Sequence, residues 1–307
     1  VESEFAAASV ILGASVTGAR AYSTTTAQGL LLMAEVLFNI AGLRLPVVIT
    51  CANRSVSAPI NIWNDHQDSM TVRDSGLIQL YAEDCQEAAD MQIQAYKIGE
   101  NPEISLPVLV NMDGFILTHA FEPVELIDQK MADEFLPPYK PKVYLSTKNP
   151  VTFGILAEPQ YYMETRYRLQ QAIEASKQVV EDVANEFNKV FGRYAGGLVD
   201  KYRLDGAKTA IVAMGSIVGT TREVVDELRE KGQKVGLLKT RAFRPFPKEA
   251  VYDALKDVDN IIILEKALSM GLGGILLNET KAVFYGRKKQ PKISGFIVGL
   301  GGRDVPN

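Results

Sequence analysis

The sequence predicts an α/β protein of two parallel-sheet domains joined by a connector that carries one long helix. Three observations predict it. Short, almost wholly apolar runs such as residues 46–52 and 106–112 alternate with helical patterns, as expected when both faces of a sheet are covered. Pro137-Pro138-Tyr139-Lys140-Pro141 and Asn149-Pro150 then interrupt the alternation and favour extended chain. Beyond residue 204 the alternation resumes as strand, helix, strand, helix, strand, helix, strand.

In the first unit, residues 5–17 are apolar and rich in small side chains, which predicts a closely packed helix. Residues 22–25 form a short β-prone run. Residues 28–40, with Leu30, Leu31, Met33, Ala34, Leu37 and Phe38, predict one apolar helix. Strands follow at 46–52, 77–81 and 106–112, with a helix at 85–99 between the last two. The unit is assigned to residues 1–127 and the connector to 128–204. Within the connector, Leu169, Ile173, Val180, Val183, Phe187 and Val190 recur three, four or seven apart, which predicts a single helix over 161–192 ended by Gly192. The third unit, 205–307, predicts strands at 208–214, 234–239, 260–264 and 292–299, with helices at 217–231, 248–255 and 271–285.

Composition removes several function classes. The 307 residues are 47% hydrophobic and 23% charged, with net charge −4, which gives no electrostatic case for nucleic acid or an anionic membrane. No apolar stretch is long enough to span a bilayer, and no secretory signal opens the chain, so the sequence points to the cytoplasm. Two cysteines without a CxxC, Cys51 and Cys85, suit a reducing compartment and provide no cluster or structural zinc site. The chain opens on Val1-Glu2-Ser3-Glu4 and runs at once into an apolar helix, which predicts that an N-terminal stretch lies outside this sequence.

Few side chains offer chemistry. Arg54 ends the 46–52 strand, and nothing ionisable follows until Asp65. It is a strand-end arginine in water, one paired with a distant Asp or Glu, or one that meets a ligand anion, since a guanidinium resists desolvation without a carboxylate or phosphate to fill its fork. Ligands of open α/β sheets gather at such strand ends. Glu4 heads an apolar helix and reads as a carboxylate favoured by the helix dipole, or as a carboxyl group available to a ligand nitrogen. Thr24-Thr25-Thr26-Ala27-Gln28-Gly29 offers hydroxyls and backbone amides to an anion, or is a helix start capped by Thr26. His66 and His119 would bind metal only if they converged with a carboxylate, and hydrogen-bonded loop histidines are the simpler reading. Gly271-Leu272-Gly273-Gly274 and Gly299-Leu300-Gly301-Gly302 lack the GxGxxG context of dinucleotide sites and read as tight turns. Gly215-Ser216-Ile217-Val218-Gly219 departs from the GxSxG elbow, which excludes a serine hydrolase there.

Several stretches together resemble the alpha subunits of the 2-oxoacid:ferredoxin oxidoreductases, most closely the pyruvate branch. They are Val1-Glu2-Ser3-Glu4, Thr25-Thr26-Ala27-Gln28-Gly29-Leu30, Asn53-Arg54-Ser55-Val56-Ser57-Ala58-Pro59, Asp65-His66-Gln67-Asp68-Ser69-Met70 and Arg73-Asp74-Ser75-Gly76. Gln86-Glu87-Ala88, Asp113-Gly114-Phe115 with His119, and Arg241-Ala242-Phe243-Arg244-Pro245-Phe246-Pro247 continue the match in order over essentially the whole chain.

The resemblance implies a thiamine diphosphate pyrimidine-binding domain lacking its N-terminal part, a linker, and a transketolase C-terminal-like domain. The family's subunit begins some tens of residues earlier, on a stretch with a loop threonine that helps hold substrate and cofactor. Glu4 matches the glutamate that hydrogen-bonds N1′ of the aminopyrimidine, and Arg54 the arginine that meets the substrate carboxylate. Thr26 and Gln28 fall in the matching cofactor-side turn. The implied reaction is oxidative decarboxylation of pyruvate to acetyl-CoA and carbon dioxide with reduction of ferredoxin, or its reverse. The chain has no GDG…N diphosphate–magnesium motif and no cluster cysteines. By the resemblance, Mg2+ and the iron–sulfur clusters belong to partner subunits of beta, gamma and delta type in a hetero-oligomer, and this polypeptide alone is inactive. A sister enzyme for 2-oxoisovalerate or oxalate, and a non-catalytic assembly subunit, are the alternatives. The presence of both Glu4 and Arg54 speaks against the last.

Overall fold

A computed structural model describes residues 1–306. The first unit runs α1 (Glu4–Val16), β1 (Tyr22–Thr25), α2 (Ala27–Leu32), α3 (Ala34–Gly42), β2 (Val48–Asn53), α4 (Gln67–Thr71), β3 (Ile78–Tyr81), α5 (Cys85–Gly99) and β4 (Val108–Asp113). The connector carries α6 (Gln129–Phe135) and α7 (Pro159–Phe191). The rest is β5 (Val199–Tyr202), β6 (Thr209–Ala213), α8 (Ile217–Glu230), β7 (Val235–Thr240), β8 (Ala242–Arg244), α9 (Lys248–Leu255), β9 (Asn260–Glu265), α10 (Ile275–Phe284) and β10 (Lys292–Ile297).

Two five-stranded sheets result, ordered β1-β2-β4-β3-β8 and β10-β9-β6-β7-β5. Within each, four strands are parallel and the last edge strand is antiparallel. Alternate residues of β2, β3 and β4 face opposite layers, and both layers are covered, which is why these inner strands carry apolar side chains on both faces. Val48, Ile78, Leu80, Val108 and Val110 pack with α5 and α7 through Met91, Ile98, Val180 and Phe187. Val47, Ile49, Cys51 and Leu109 pack with α1, α2 and α3 through Ala8, Leu30, Leu37 and Ile40.

The structure adds α4 (Gln67–Thr71), which the sequence does not predict, and departs from the sequence reading in four further places. The helix expected over 28–40 divides at Met33, although Met33 N–H still reaches the Gly29 carbonyl at 3.1 Å and the turn is only tightened. The connector holds α6, anchored by Phe135 edge-on to Phe187 of α7 at 5.5 Å between ring centroids. Val199–Tyr202, placed in the connector by sequence, pairs antiparallel with β7 in the second sheet. The three-residue β8 leaves the C-terminal unit and pairs with β3 at the edge of the first sheet, Gln79 opposite Arg244 and Leu80 opposite Ala242.

That crossing brings charges inside. Arg241 is 0% exposed, and its Nε donates to Glu87 Oε1 at 2.9 Å, while the Lys239 ammonium meets Glu87 at 2.7 Å and Glu83 at 3.0 Å. Arg222 closes the group on Glu83 and Asp200. A buried ion set of this kind adds little net stability over apolar packing, but removing one member strands a charge. It ties α5 to the strands and helix that follow residue 198.

Candidate active site at the strand ends of the first sheet

β1 and β2 run parallel with Thr25 opposite Cys51, so the residues that follow them lie side by side at one sheet edge. Arg54 follows β2. Its backbone N–H donates to Asp68 at 2.9 Å. Its side-chain Nε is buried and has no hydrogen-bond partner among the described residues, and no carboxylate there pairs with the guanidinium. Gly114, after β4, makes room for it: a Cβ placed there would lie 3.1 Å from Arg54 Cγ and 2.6 Å from the Asn53 carbonyl oxygen. A guanidinium half out of water without an anion is costly unless a ligand supplies one.

Glu4 is the first residue of α1, behind Ser3, whose hydroxyl accepts from Ala6 N–H at 3.2 Å. Its carboxyl is exposed and lies across the start of α2. A Cβ on Gly29 would come within 2.8 Å of Glu4 Cγ and 2.7 Å of Thr25 Oγ1, so only glycine lets that side chain cross. Thr25 Oγ1 is itself buried without a hydrogen-bond partner among the described residues. Thr26 occupies the cap position of α2 yet makes no capping bond. Its hydroxyl donates instead to the Ala52 carbonyl at 2.6 Å, tying the β1 turn to β2. The Ala27 amide, offered by sequence to an anion, is taken by Asp68 at 3.0 Å. Gln28 is exposed on the first turn of α2.

Asp68 is the residue that sequence reasoning missed. It is 0% exposed, and burial pushes its carboxyl above the usual range against the pull of the N–H groups that point at it. Oδ2 accepts from the amides of Ala27 and Arg54, and Oδ1 from Asn53 Nδ2 at 2.9 Å and the Ser69 amide at 2.7 Å. One carboxylate thus fixes the turns that follow β1 and β2. Its sequence signal was the Asp65-His66-Gln67-Asp68 cluster closing an otherwise uncharged loop.

Behind the site, the strand ends of the two sheets meet in a second buried group. Asp113, at the end of β4, contacts His66 Nε2 at 2.7 Å, Lys266 Nζ at 2.9 Å and Ser216 Oγ at 2.5 Å. Burial alone would raise its pKa, but the Lys266 ammonium, with His66 on the other oxygen, holds the carboxyl well below the usual range. A depressed folded-state pKa stabilises the protein fully above the unfolded value near about pH 4, and that stabilisation is lost as pH falls toward the folded value. Asp113→Asn is therefore expected to lower stability at neutral pH and to flatten its decline below about pH 4, read as the thermal midpoint against pH. A decline as steep as the parent's would show that Asp113 is not the group titrating.

The two histidines do not converge. His66 is buried on Asp113, whereas His119 is exposed, stacked on Phe115 at 4.4 Å and bonded to Thr118. Among the described residues no set of three or more His, Cys, Asp or Glu is grouped to hold a metal ion. The glycine strings have structural work: Gly274 leaves space for Glu265, which accepts three amides at the start of α10, and Gly301 and Gly302 abut Asn61 and Trp63. Among the described residues no helix is long and apolar enough to cross a membrane.

Known proteins share this architecture. Residues 1–185 match the family described as pyruvate flavodoxin/ferredoxin oxidoreductase, thiamine diphosphate-binding, and residues 207–306 match pyruvate:ferredoxin oxidoreductase core domain II. The chain is 53% identical to pyruvate synthase subunit PorA of Methanosarcina barkeri, over 100% of this chain and 76% of that one. It is 52% identical to pyruvate synthase subunit PorA of Methanocaldococcus jannaschii, over 99% and 78%. Ketoisovalerate oxidoreductase subunit VorA of Pyrococcus abyssi is 43% identical over 99% and 77%. Among solved structures, the 2-oxoglutarate:ferredoxin oxidoreductase of Magnetococcus marinus shares the fold, with a TM-score of 0.68 and 18% identity over 98% of this chain and 54% of that one. The chain belongs to the pyruvate flavodoxin/ferredoxin oxidoreductase family, as a subunit of a 2-oxoacid:ferredoxin oxidoreductase.

Proposed function

We propose that this chain contributes the pyrimidine and substrate-carboxylate half of a thiamine diphosphate site that decarboxylates pyruvate. The observation that carries the reading is the half-buried Arg54 guanidinium, unpaired among the described residues and set one strand from the exposed Glu4 carboxylate. The residues fit the cofactor. Glu4 holds an open carboxylate at a position where glycine clears the way, and the buried Thr25 hydroxyl beside it has no hydrogen-bond partner among the described residues. Bound thiamine diphosphate supplies the carbon nucleophile and electron sink that 2-oxoacid decarboxylation requires. Glu4 hydrogen-bonds and shares a proton with N1′ of the aminopyrimidine. Arg54 grips the carboxylate of the 2-oxoacid with its planar fork, orients the carbonyl, and releases the carboxylate as carbon dioxide. Thr26 and Gln28 flank the cofactor on the turn after β1.

In balance, pyruvate and coenzyme A give acetyl-CoA, carbon dioxide and a proton, and a pair of electrons leaves singly to ferredoxin. The chain holds neither diphosphate–magnesium motif nor cluster cysteines, so Mg2+ and the iron–sulfur clusters are assigned to partner subunits of beta, gamma and delta type, in the cytoplasm. Identity to pyruvate synthase subunits above that to the ketoisovalerate subunit supports pyruvate as the substrate.

Calorimetry tests the divided site. Thiamine diphosphate is expected to bind the assembled complex tightly and the isolated chain not at all in the micromolar range. Micromolar affinity of the chain alone, about 8 kcal/mol from half a site, would overturn the proposal.

A further inference from the structure

We propose that the second domain positions the substrate-side arginine: the ammonium of Lys266 and the 299–302 glycine turn hold the 55–65 loop, and through it Arg54, in register for the 2-oxoacid carboxylate. The inference rests on Arg54 as the carboxylate-binding residue. It gives the second domain a role in substrate binding besides assembly.

The loop leaves β2 at Arg54 and closes on itself where the Ser55 amide donates to the Trp63 carbonyl at 3.1 Å. Its tip, residues 57–60, is exposed. The second domain holds the returning limb. Asn61 Nδ2 donates to the Gly301 carbonyl at 3.1 Å, the Gly302 amide to the Asn64 carbonyl at 2.8 Å, and the Gly301 amide to Asp65 Oδ2 at 3.3 Å. The His66 amide donates to the Lys266 carbonyl at 2.8 Å. Lys266 Nζ reaches Asn64 Oδ1 at 2.9 Å, and Asn64 Nδ2 donates to the carbonyl of Asn53 at 3.2 Å. Asn53 is bonded directly to Arg54. The path from the second domain to the arginine is therefore one lysine, one asparagine and one peptide unit.

The contact is built for register more than for adhesion. Gly301 and Gly302 have φ of 60° and 75°, and a Cβ on Gly301 would fall 2.6 Å from Asn61 Nδ2, while one on Gly302 would strike Trp63 Cβ. Lys266 and Asn64 are 4% and 0% exposed. Burying an ammonium and an amide costs free energy that apolar packing would not, and what such groups provide is a single permitted geometry. An arginine that must meet a planar carboxylate needs that constraint, because small displacements are punished steeply.

The test uses the assembled enzyme carrying Asn61→Ala, Gly302→Ala or Lys266→Met, with Arg54→Lys as the reference. Asn61→Ala and Gly302→Ala leave every buried charge in place, so they report even if Lys266→Met, which strands Asp113, fails to fold. The first two variants are expected to raise the apparent Michaelis constant for pyruvate about threefold to tenfold with an unchanged thiamine diphosphate titration, and Arg54→Lys about tenfold or more. In the Arg54→Lys background, Asn61→Ala is expected to add much less than it does alone, because residues that act through a shared partner are not additive. A native pyruvate constant in both loop variants, or full additivity with Arg54→Lys, overturns the positioning role. A native constant in Arg54→Lys overturns the assignment of Arg54 itself, and the positioning role falls with it.

Discussion

Glu4→Gln is expected to leave the assembled enzyme folded and loaded with cofactor yet lower its turnover by about 10²- to 10⁴-fold, the range that a positioned proton-transfer group commonly contributes. The carboxyl is exposed, and among the described residues no hydrogen bond or ion pair runs through it. Glutamine has the same length and passes over Gly29 as glutamate does. The structural loss is the favourable placement of a charge at the N-terminus of α1, about 0.3–1 kcal/mol. What disappears is the capacity to share a proton with a ring nitrogen. Exchange of the cofactor's C2 proton, followed by NMR in the complex beside turnover and circular dichroism, separates chemistry from folding. Native exchange in the variant would remove Glu4 from the mechanism.

Asp68→Ala is expected to cost about 4 kcal/mol of stability or more, and most of the activity. Buried donors left without acceptors cost about 1–3 kcal/mol each, and Asp68 serves the amides of Ala27, Arg54 and Ser69 together with the side chain of Asn53. Ala27 is held at a positive φ of 43°, uncommon outside glycine, and loses the bond that keeps it there. Asn is no rescue. Two donors meet Oδ1 and three, the Cys51 thiol among them, meet Oδ2, so an amide in either orientation sets its NH2 against at least two of them. Urea unfolding gives the stability, and pyruvate kinetics on the surviving folded fraction gives the activity. A stable Asp68→Asn variant with native kinetics would contradict this account.

The alternation of strands and helices was legible because buried parallel strands leave an apolar run that few other structures produce. β5 and β8 were not, since three or four residues beside prolines or in a connector carry no period, and their pairing is decided by another unit's edge. Arg54 could be singled out because its loop offers no counter-charge, and Glu4 because it heads a helix. Asp68 escaped because its role comes from donors at positions 27, 53, 54 and 69 that only the fold collects. Propensity offers Thr26 as a cap, one of two roles open to its turn, but a neighbouring strand's carbonyl takes its hydroxyl instead.

The excursion of β8 has a consequence for anyone cutting or recombining this gene. Division in the connector would leave the first half with β3 as a bare edge, the kind of surface on which foreign strands add and aggregates grow. Chimeras that swap the second half between relatives would exchange not a module but part of the neighbour's sheet, including the arginine whose guanidinium is sealed against Glu87. The unit of inheritance is thus wider than the unit of folding that the strand count suggests. A transplant that breathes freely would have to carry residues 241–247 with the half of the protein from which they are most distant in sequence.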